Sequence, residues 1–250
     1  MINMSEWYRR MFEDFFGEYW VKVFERKKGT DQEVSFLREL LSEGLVLDNA
    51  CGAGRISIPL SYHLPVVGLD LSLYLLKRAN QKVKESGIKS LYLVRGDMRY
   101  LPFKSNIFDA VISMWQSFGY FSDEENEVAL RENVRVLKPG GKFILDVANP
   151  FWLIKNFMEK DWSEDEEYIT LEQRSVNWKE KRWKARWVII NKQTKSFNEI
   201  SFDHRLYDLK ELEELLTNNS LKINQVYGSF QKEEFNENSR RMIIISQKMT

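Results

Sequence analysis

The sequence predicts an α/β fold: a mostly parallel seven-stranded sheet with helices on both faces, N-terminal helices, and an inserted antiparallel β meander. Three observations carry this. From Leu45 onward, short apolar runs alternate with longer amphipathic segments. Residues 168 to 207 break that rhythm with three strand-like stretches in succession. The 250 residues are 43% hydrophobic and 30% charged, enough apolar content for one large domain or a domain with an insertion.

In chain order, residues 5 to 42 carry apolar side chains at helical spacing (Trp7, Met11, Phe15; Val34, Leu37, Leu41), interrupted by Gly17 and Gly29, which reads as two or three helices. The apolar runs "LVLDNA", "PVVGLD", "SLYLVRGD", "FDAVISMW" and "GKFILDVA" read as five strands, with helices beginning near Ser57, Ser72 and Asp123. "LKPGG" (137 to 141) reads as a stop and turn before the fifth strand. "EKDWSEDEE" (159 to 167) reads as a solvated acidic connector. "YITLEQRSVNW", "RWKARWVIIN" and "SFNEISFDHRLY" form the meander, after which "DLKELEELLTNN" returns as a helix and "LKINQVYG" and "RMIIISQK" as strands. The organisation expected is a helical cap (1–44), an α/β domain (45–160 and 208–250) and an inserted antiparallel lid (161–207).

"VLDNACGAGR" (46 to 55) places Asp48 immediately before a glycine-rich turn. Such a turn between strand and helix lets backbone approach a ligand closely and aims N–H groups at it. The dinucleotide version is G-x-G-x-x-G; here Ala50 stands at the first glycine and Ile56 near the third, and the Asp48 charge would repel phosphates. A ligand with an ammonium and a carboxylate but no phosphate resolves the conflict. Asp48 attracts the ammonium while Gly52 and Gly54 admit an adenosine; S-adenosylmethionine is such a ligand. Asp70, which ends the second strand 22 positions later, stands where an acid reaches both hydroxyls of a ribose. Asp97, after the third strand, could accept from an adenine amino group. Singly, each acid reads as a cap or turn residue. Three acids at the ends of three successive strands read as a ligand crevice.

"LDNACGAGR", "GLDLS", "GDMRYLPF", "FDAVISMWQSFGYF" and "RVLKPGGKFILDV" resemble, in order and spacing, the motifs of the Rossmann-like (class I) S-adenosylmethionine-dependent methyltransferases. The resemblance runs over roughly residues 5 to 250 and is similar to small methyltransferases with an antiparallel lid insertion, whose motifs do not fix the acceptor. It implies a methionine pocket shaped by Ala50, Gly52, Gly54 and Arg55 beside Asp48. Asp70 would bind ribose, Leu71 would pack on adenine, and Asp97 with the Met98 backbone would read it. Ser113, Met114, Trp115 and Ser117 would line the sulfonium side, and Trp7 and Tyr8 would open a helix folded over the cofactor. Ala50 departs from the usual first glycine, and "SMWQS" lacks the N-P-P-aromatic signature of amino-methylating DNA enzymes.

Methyl transfer asks the protein to align a nucleophile, exclude water and sometimes remove a proton. His204 in the third meander strand, Tyr120 and Ser117 are the candidates for that work, whereas His63 reads as a structural turn residue. Other readings are an RNA or protein methyltransferase of the same fold, a non-catalytic S-adenosylmethionine-binding protein and, more distantly, an NAD dehydrogenase. "WKEKRWKARW" interleaves basic residues with Trp178, Trp183 and Trp187, but alternation puts Trp183, Ala185, Trp187 and Ile189 on one strand face, as in a half-buried strand. With Lys+Arg and Asp+Glu both 37, the chain is neutral, which argues against a nucleic-acid partner. The expected partner is a small-molecule acceptor, with no nucleic acid, membrane or metal, and with monomer and homodimer both open. Cys51 is the single cysteine, no apolar run approaches the roughly 20 residues of a membrane span, and "MINMSEWYRRMFEDFF" lacks a signal-peptide core, so a cytoplasmic protein is expected.

Overall fold

The computed structural model describes residues 6–26 and 28–250; residues 1–5 and 27, part of the expected helical cap and, for the first five, of the leader reading, lie outside the described residues. The chain opens with α1 (Trp7–Met11), α2 (Asp14–Arg26) and α3 (Thr30–Leu40). The break between α1 and α2 falls at Phe12 and Glu13, with Asp14 at φ 46°, and not at Gly17. Gly17 lies inside α2, where a Cβ would come within 2.7 Å of the Tyr74 ring and 2.8 Å of the Phe12 carbonyl. Its missing side chain serves close packing, which the sequence shows as the same letter as a break.

Seven strands form the main sheet in the order β10-β11-β5-β4-β1-β2-β3. They are β1 (Val46–Asn49), β2 (Val66–Asp70), β3 (Leu91–Arg95), β4 (Phe108–Ser113), β5 (Leu137–Ala148), β10 (Leu221–Tyr227) and β11 (Arg241–Lys248). The first five run parallel, while β11 joins β5 and β10 joins β11 antiparallel. Successive side chains leave opposite faces of a strand, so each central strand divides its apolar residues between two cores. Leu47, Val67, Val111, Phe143, Leu145 and Ile244 pack with Leu130 of α6 (Asp123–Val136) and Leu212 and Leu216 of α8 (Leu209–Asn218). Val46, Val66, Ala110, Ile112, Ile144 and Ile243 pack with Leu37 of α3 and Leu60 of α4 (Ser57–Ser61). Helices therefore cover both faces, and α5 (Leu73–Ser86), capped by Ser72 accepting from the Leu75 amide, follows β2.

"LKPGG" is not a turn ahead of β5. Leu137 already pairs with Phe108, the register shifts, and pairing resumes at Lys142 opposite Ala110, with Gly140 at φ +75° absorbing the extra residues. A short α7 (Pro150–Lys155) then leads to a second sheet of order β6-β7-β8-β9. Its strands are β6 (Lys160–Glu164), β7 (Tyr168–Asn177), β8 (Arg182–Asn191) and β9 (Phe197–Arg205), all antiparallel. The acidic connector is thus in part a fourth strand: β6 is an edge strand, mostly exposed, and its charges mask its pattern. A third cluster joins Trp7, Tyr8, Phe16 and Tyr19 of α1 and α2 to Tyr168, Ile189 and Ile200 of the second sheet. No helix among the described residues is long and apolar enough to cross a membrane.

Candidate active site

A cavity of about 380 Å³ opens at the carboxyl ends of the parallel strands, where ligands of such sheets sit. Tyr8, Ala50, Gly52, Asp70, Leu71, Asp97, Met98, Met114, Trp115, Ser117 and Tyr120 line it, so the structure gathers eleven of the expected site residues around one cavity. Asp48, Gly54, Arg55, Ser113 and His204 stand behind or beside that lining.

The glycine loop turns sharply because Ala50, Gly52 and Gly54 all take positive φ, at 70°, 56° and 78°. Ala50 holds there as a left-handed non-glycine residue, a strained conformation of the kind kept at ligand sites. A Cβ on Gly52 would meet only Leu75 Cδ1 at 3.8 Å, so the loop presents bare backbone to the cavity. Gly54 points away, toward Ile58.

Asp70 closes the end of β2. Its Oδ2 accepts from the Gly52 amide and its Oδ1 from the Ser72 amide, each at 2.8 Å, which fixes the carboxylate and leaves further lone pairs on both oxygens. Burial pushes its pKa up to about 6, against the lowering effect of those amides. Asp48 is 2% exposed and its Oδ2 accepts from Ser57 Oγ at the start of α4. Burial likewise carries it up to about 6, and the nearby Asp70 charge adds to the rise. Asp97 accepts from the Arg99 amide at 2.9 Å and from Arg99 Nη2 at 2.7 Å. Burial works against its ionisation, but the Arg99 hydrogen bonds outweigh it and hold the pKa below the usual carboxylate value. Arg99 also donates to the Tyr8 hydroxyl at 3.1 Å and lies 4.4 Å from the Phe121 ring.

Beyond β4, Met114 to Ser117 form the opposite wall. Trp115 and Gln116 sit at φ 57° and 59°, two left-handed non-glycine residues in a row. Arg55, ion-paired to Glu33, lies 5.0 Å from the Trp115 ring, and Trp115 Nε1 donates to Glu33 at 3.3 Å. Ser117 is buried on the wall, with its hydroxyl 2.9 Å from that of Ser113 beneath it. Tyr120 has no hydrogen-bond partner among the described residues, and burial, with the Asp70 charge, raises its pKa above the ordinary phenol value. His204 donates from Nε2 to the Gln116 carbonyl at 2.8 Å and packs edge-on against Tyr120 at 5.4 Å. Burial lowers its pKa, which favours the neutral ring, and Nδ1 is buried without a partner among the described residues.

Phe12, Glu13 and Arg95 also line the cavity and were not anticipated. Glu13 accepts from the Leu73 and Tyr74 amides at the start of α5. Phe12 and Glu13 arrive because α1 ends at Met11; only the position of that break would have pointed to them. The wall fits S-adenosylmethionine by its donor set: a fixed carboxylate for hydroxyls, bare glycine backbone, and apolar Leu71 and Met98 for a flat base.

Residues 46–141 match the family model described as a methyltransferase domain. A Bacillus subtilis protein named as a methyltransferase, YqeM, is 28% identical over 224 residues, which are 87% of this chain and 90% of that one. The demethylmenaquinone methyltransferase of Lactiplantibacillus plantarum is 39% identical over 117 residues, 44% of this chain and 48% of its own. The structure of the CcbJ methyltransferase from Streptomyces caelestis superposes with a TM-score of 0.81 at 16% identity, over 92% of this chain and 96% of that one. That last likeness is one of fold. The glycine loop, the β2 acid and the β4 loop all lie inside the matched segment, so residues 46–141 are a methyltransferase domain, and the fold around it is the Rossmann-like one of the S-adenosylmethionine-dependent methyltransferases.

Proposed function

We propose that the protein methylates a nitrogen or oxygen atom of a small-molecule acceptor, with carbon the less favoured target, under a lid formed by residues 161–207. The observation that carries this is the cavity wall itself: Ser117 and Tyr120, whose hydroxyl has no partner among the described residues, line a space beside the aromatic layer shared by α1, α2 and the second sheet. S-adenosylmethionine supplies a methyl carbon activated by positive sulfur. Asp70 would hold its ribose, Leu71, Met98 and Asp97 its adenine side, and the Ala50–Gly52 loop its methionine portion. Asp48, Gly54, Arg55 and Ser113 act from behind the wall by fixing the loops they touch. Tyr120 and Ser117 would meet the acceptor. His204 works through the Gln116 carbonyl and the Tyr120 ring as a positioning residue, and the aromatic layer excludes water.

The quinone-methylating relative aligns over less than half of its length, which supports the cofactor half of the reading and leaves the acceptor to the lid. An RNA acceptor is disfavoured because Lys181 pairs with Asp208, Arg182 with Asp203 and Arg186 with Glu199. Incubation with methyl-labelled S-adenosylmethionine and a metabolite extract should yield a labelled small molecule identifiable by mass. Label found only in added RNA or protein would overturn the assignment.

A further inference from the structure

The second sheet ends on a strand with one side bare. β6 pairs with β7, its other edge has no strand partner among the described residues, and Lys160, Trp162, Ser163 and Glu164 are exposed. The Arg174 amide donates to the Glu159 carbonyl at 2.7 Å, and the Asp165 amide donates to the Tyr168 carbonyl at 3.0 Å. Antiparallel ladders alternate, so the backbone of Glu159, Asp161, Ser163 and Asp165 faces β7. The N–H and C=O groups of Lys160, Trp162 and Glu164 therefore point outward. The Trp162 amide, without a strand to receive it, donates to Asp161 Oδ1 at 2.9 Å.

An exposed edge usually carries a bulge, a proline or a charge that blocks pairing. β6 has no proline, and its register with β7 is unbroken from Lys160 to Glu164. Its outward residues run cation, indole, anion, with Trp162 at the centre. Turned antiparallel to a copy of itself about Trp162, the strand sets Lys160 opposite Glu164 of the copy and Trp162 opposite Trp162. The charges then match where a foreign strand would meet them unpaired. Lys160 has no ion-pair partner among the described residues. Glu164 holds Lys192 through Oε1 at 2.5 Å, and its Oε2 stays open to a second cation. Trp162 also stands opposite Leu171 on β7, and Leu171 opposite Val188 on β8. This apolar row crosses the face of the sheet opposite Ala185 and Ile189 and stops at the bare edge, with Trp162 64% and Leu171 43% exposed.

We propose that β6 pairs with β6 of a second copy of this chain, antiparallel and centred on Trp162, so that the two lids join into one continuous sheet. Each outward residue exchanges both backbone hydrogen bonds with its opposite, and the Trp162 amide leaves Asp161 for a carbonyl. The apolar rows of the two copies meet at the dyad and cover each other's ends. The Lys–Glu pairs fix the register, because re-centring on Lys160 or Glu164 opposes like charges. β6 supplies no residue to the cofactor cavity, so this pairing stands apart from the methyltransferase reading.

The test is sedimentation velocity of the full chain from about 1 to 200 μM, a range suited to a small interface. The wild type is expected to pass from monomer to dimer as concentration rises. Trp162→Glu sets two carboxylates together on the dyad and should remain monomeric. Lys160→Glu and Glu164→Lys each oppose like charges at both ends and should weaken the dimer about tenfold. An equimolar mixture of those two variants, in which opposed residues again differ in charge, should dimerise as the wild type does. Circular dichroism matching the wild type shows that each variant is folded. A wild type that stays monomeric over this range, a dimer that survives Trp162→Glu, or a mixture no tighter than its two components would overturn the pairing.

Discussion

Asp146 holds Trp115 in a left-handed conformation: its Oδ2 accepts from the Trp115 amide at 2.9 Å, and its own carbonyl accepts from the Gln116 amide at 3.0 Å. Two consecutive residues at positive φ cost of order 1–3 kcal/mol each, so the loop needs such an anchor. The anchor is itself fixed, because Arg241 on β11 donates to both Asp146 oxygens at 2.6 Å and its guanidinium lies 5.7 Å from the Trp115 ring. Sheet order brings these together, since β11 lies beside β5 and β5 beside β4.

Asp146→Asn is therefore expected to leave Arg241 short of its counter-charge and to slacken the Trp115 loop. Breaking a buried pair costs up to about 3–5 kcal/mol; Arg241 retains some solvent, which favours the lower end. In a chain of this size the melting temperature should fall by roughly 5–10 °C, and S-adenosylhomocysteine affinity should fall with it. A variant that melts within a degree or two of the wild type would show that the loop holds without the charge.

With Asp70 as the proposed ribose acceptor, cofactor affinity is expected to depend on pH. Burial raises both Asp70 and Asp48 from 3.8 to about 6, so the folded chain binds these protons more tightly than the unfolded one. Their contribution to stability therefore falls as pH rises from about 4 to about 6, and the cost is full above that window. Ribose hydroxyls donating to Asp70 favour its charged form, so binding should release a proton near pH 6. Affinity for S-adenosylhomocysteine should weaken below pH 6, approaching about tenfold per unit. Calorimetry in two buffers of different ionisation enthalpy reads the proton directly. Asp70→Asn should weaken binding by about ten- to a hundredfold and flatten the slope. A variant that keeps the slope would transfer the proton to Asp48.

The parallel sheet and its crevice were legible because the information is local. Asp70 and the Gly52 turn belong to a strand-end pattern read within one short stretch of chain. What was not legible depends on distance or on masking. Asp146 reads as an unremarkable acid in "FILDVA", and only the neighbouring β11 reveals its partner, Arg241. β6 hid behind Lys160, Asp161 and Glu164, whose charges suit an edge strand as well as a loop. Gly17 misled because packing against Tyr74 and breaking a helix call for the same residue. The sequence also set Asp48 beside the ligand; what it did not show is that its carboxylate accepts from Ser57 at the start of α4.

The second sheet should respond to ligands as a lid. It meets α1 and α2 through the aromatic cluster, while Arg205 at the end of β9 ties it to Asp123 of α6 and Glu211 of α8. Those ion pairs fix one end and make it the natural pivot. Hydrogen exchange in residues 168–207 should slow with S-adenosylhomocysteine plus an acceptor, and more than with the cofactor product alone. Equal protection in both states would make the sheet a static roof.

The basic face of β8 separates a small-molecule enzyme from one acting on nucleic acid. Lys184 and Arg186 are exposed, on the face opposite buried Ala185 and Ile189. Arg186 is already engaged, with Nε and Nη2 each 2.6 Å from a Glu199 oxygen, and a phosphate would have to displace that carboxylate. Each phosphate contact also adds to the salt dependence of nucleic-acid binding, so an RNA enzyme using this face would lose affinity steeply between low and physiological salt. Lys184→Glu combined with Arg186→Glu is expected to leave S-adenosylhomocysteine affinity and turnover of a small acceptor unchanged, because solvated strand residues contribute little. Filter binding with transfer RNA should show no salt-sensitive complex in either protein. A submicromolar complex in the wild type that disappears in the double variant would move the acceptor from the cavity to this face.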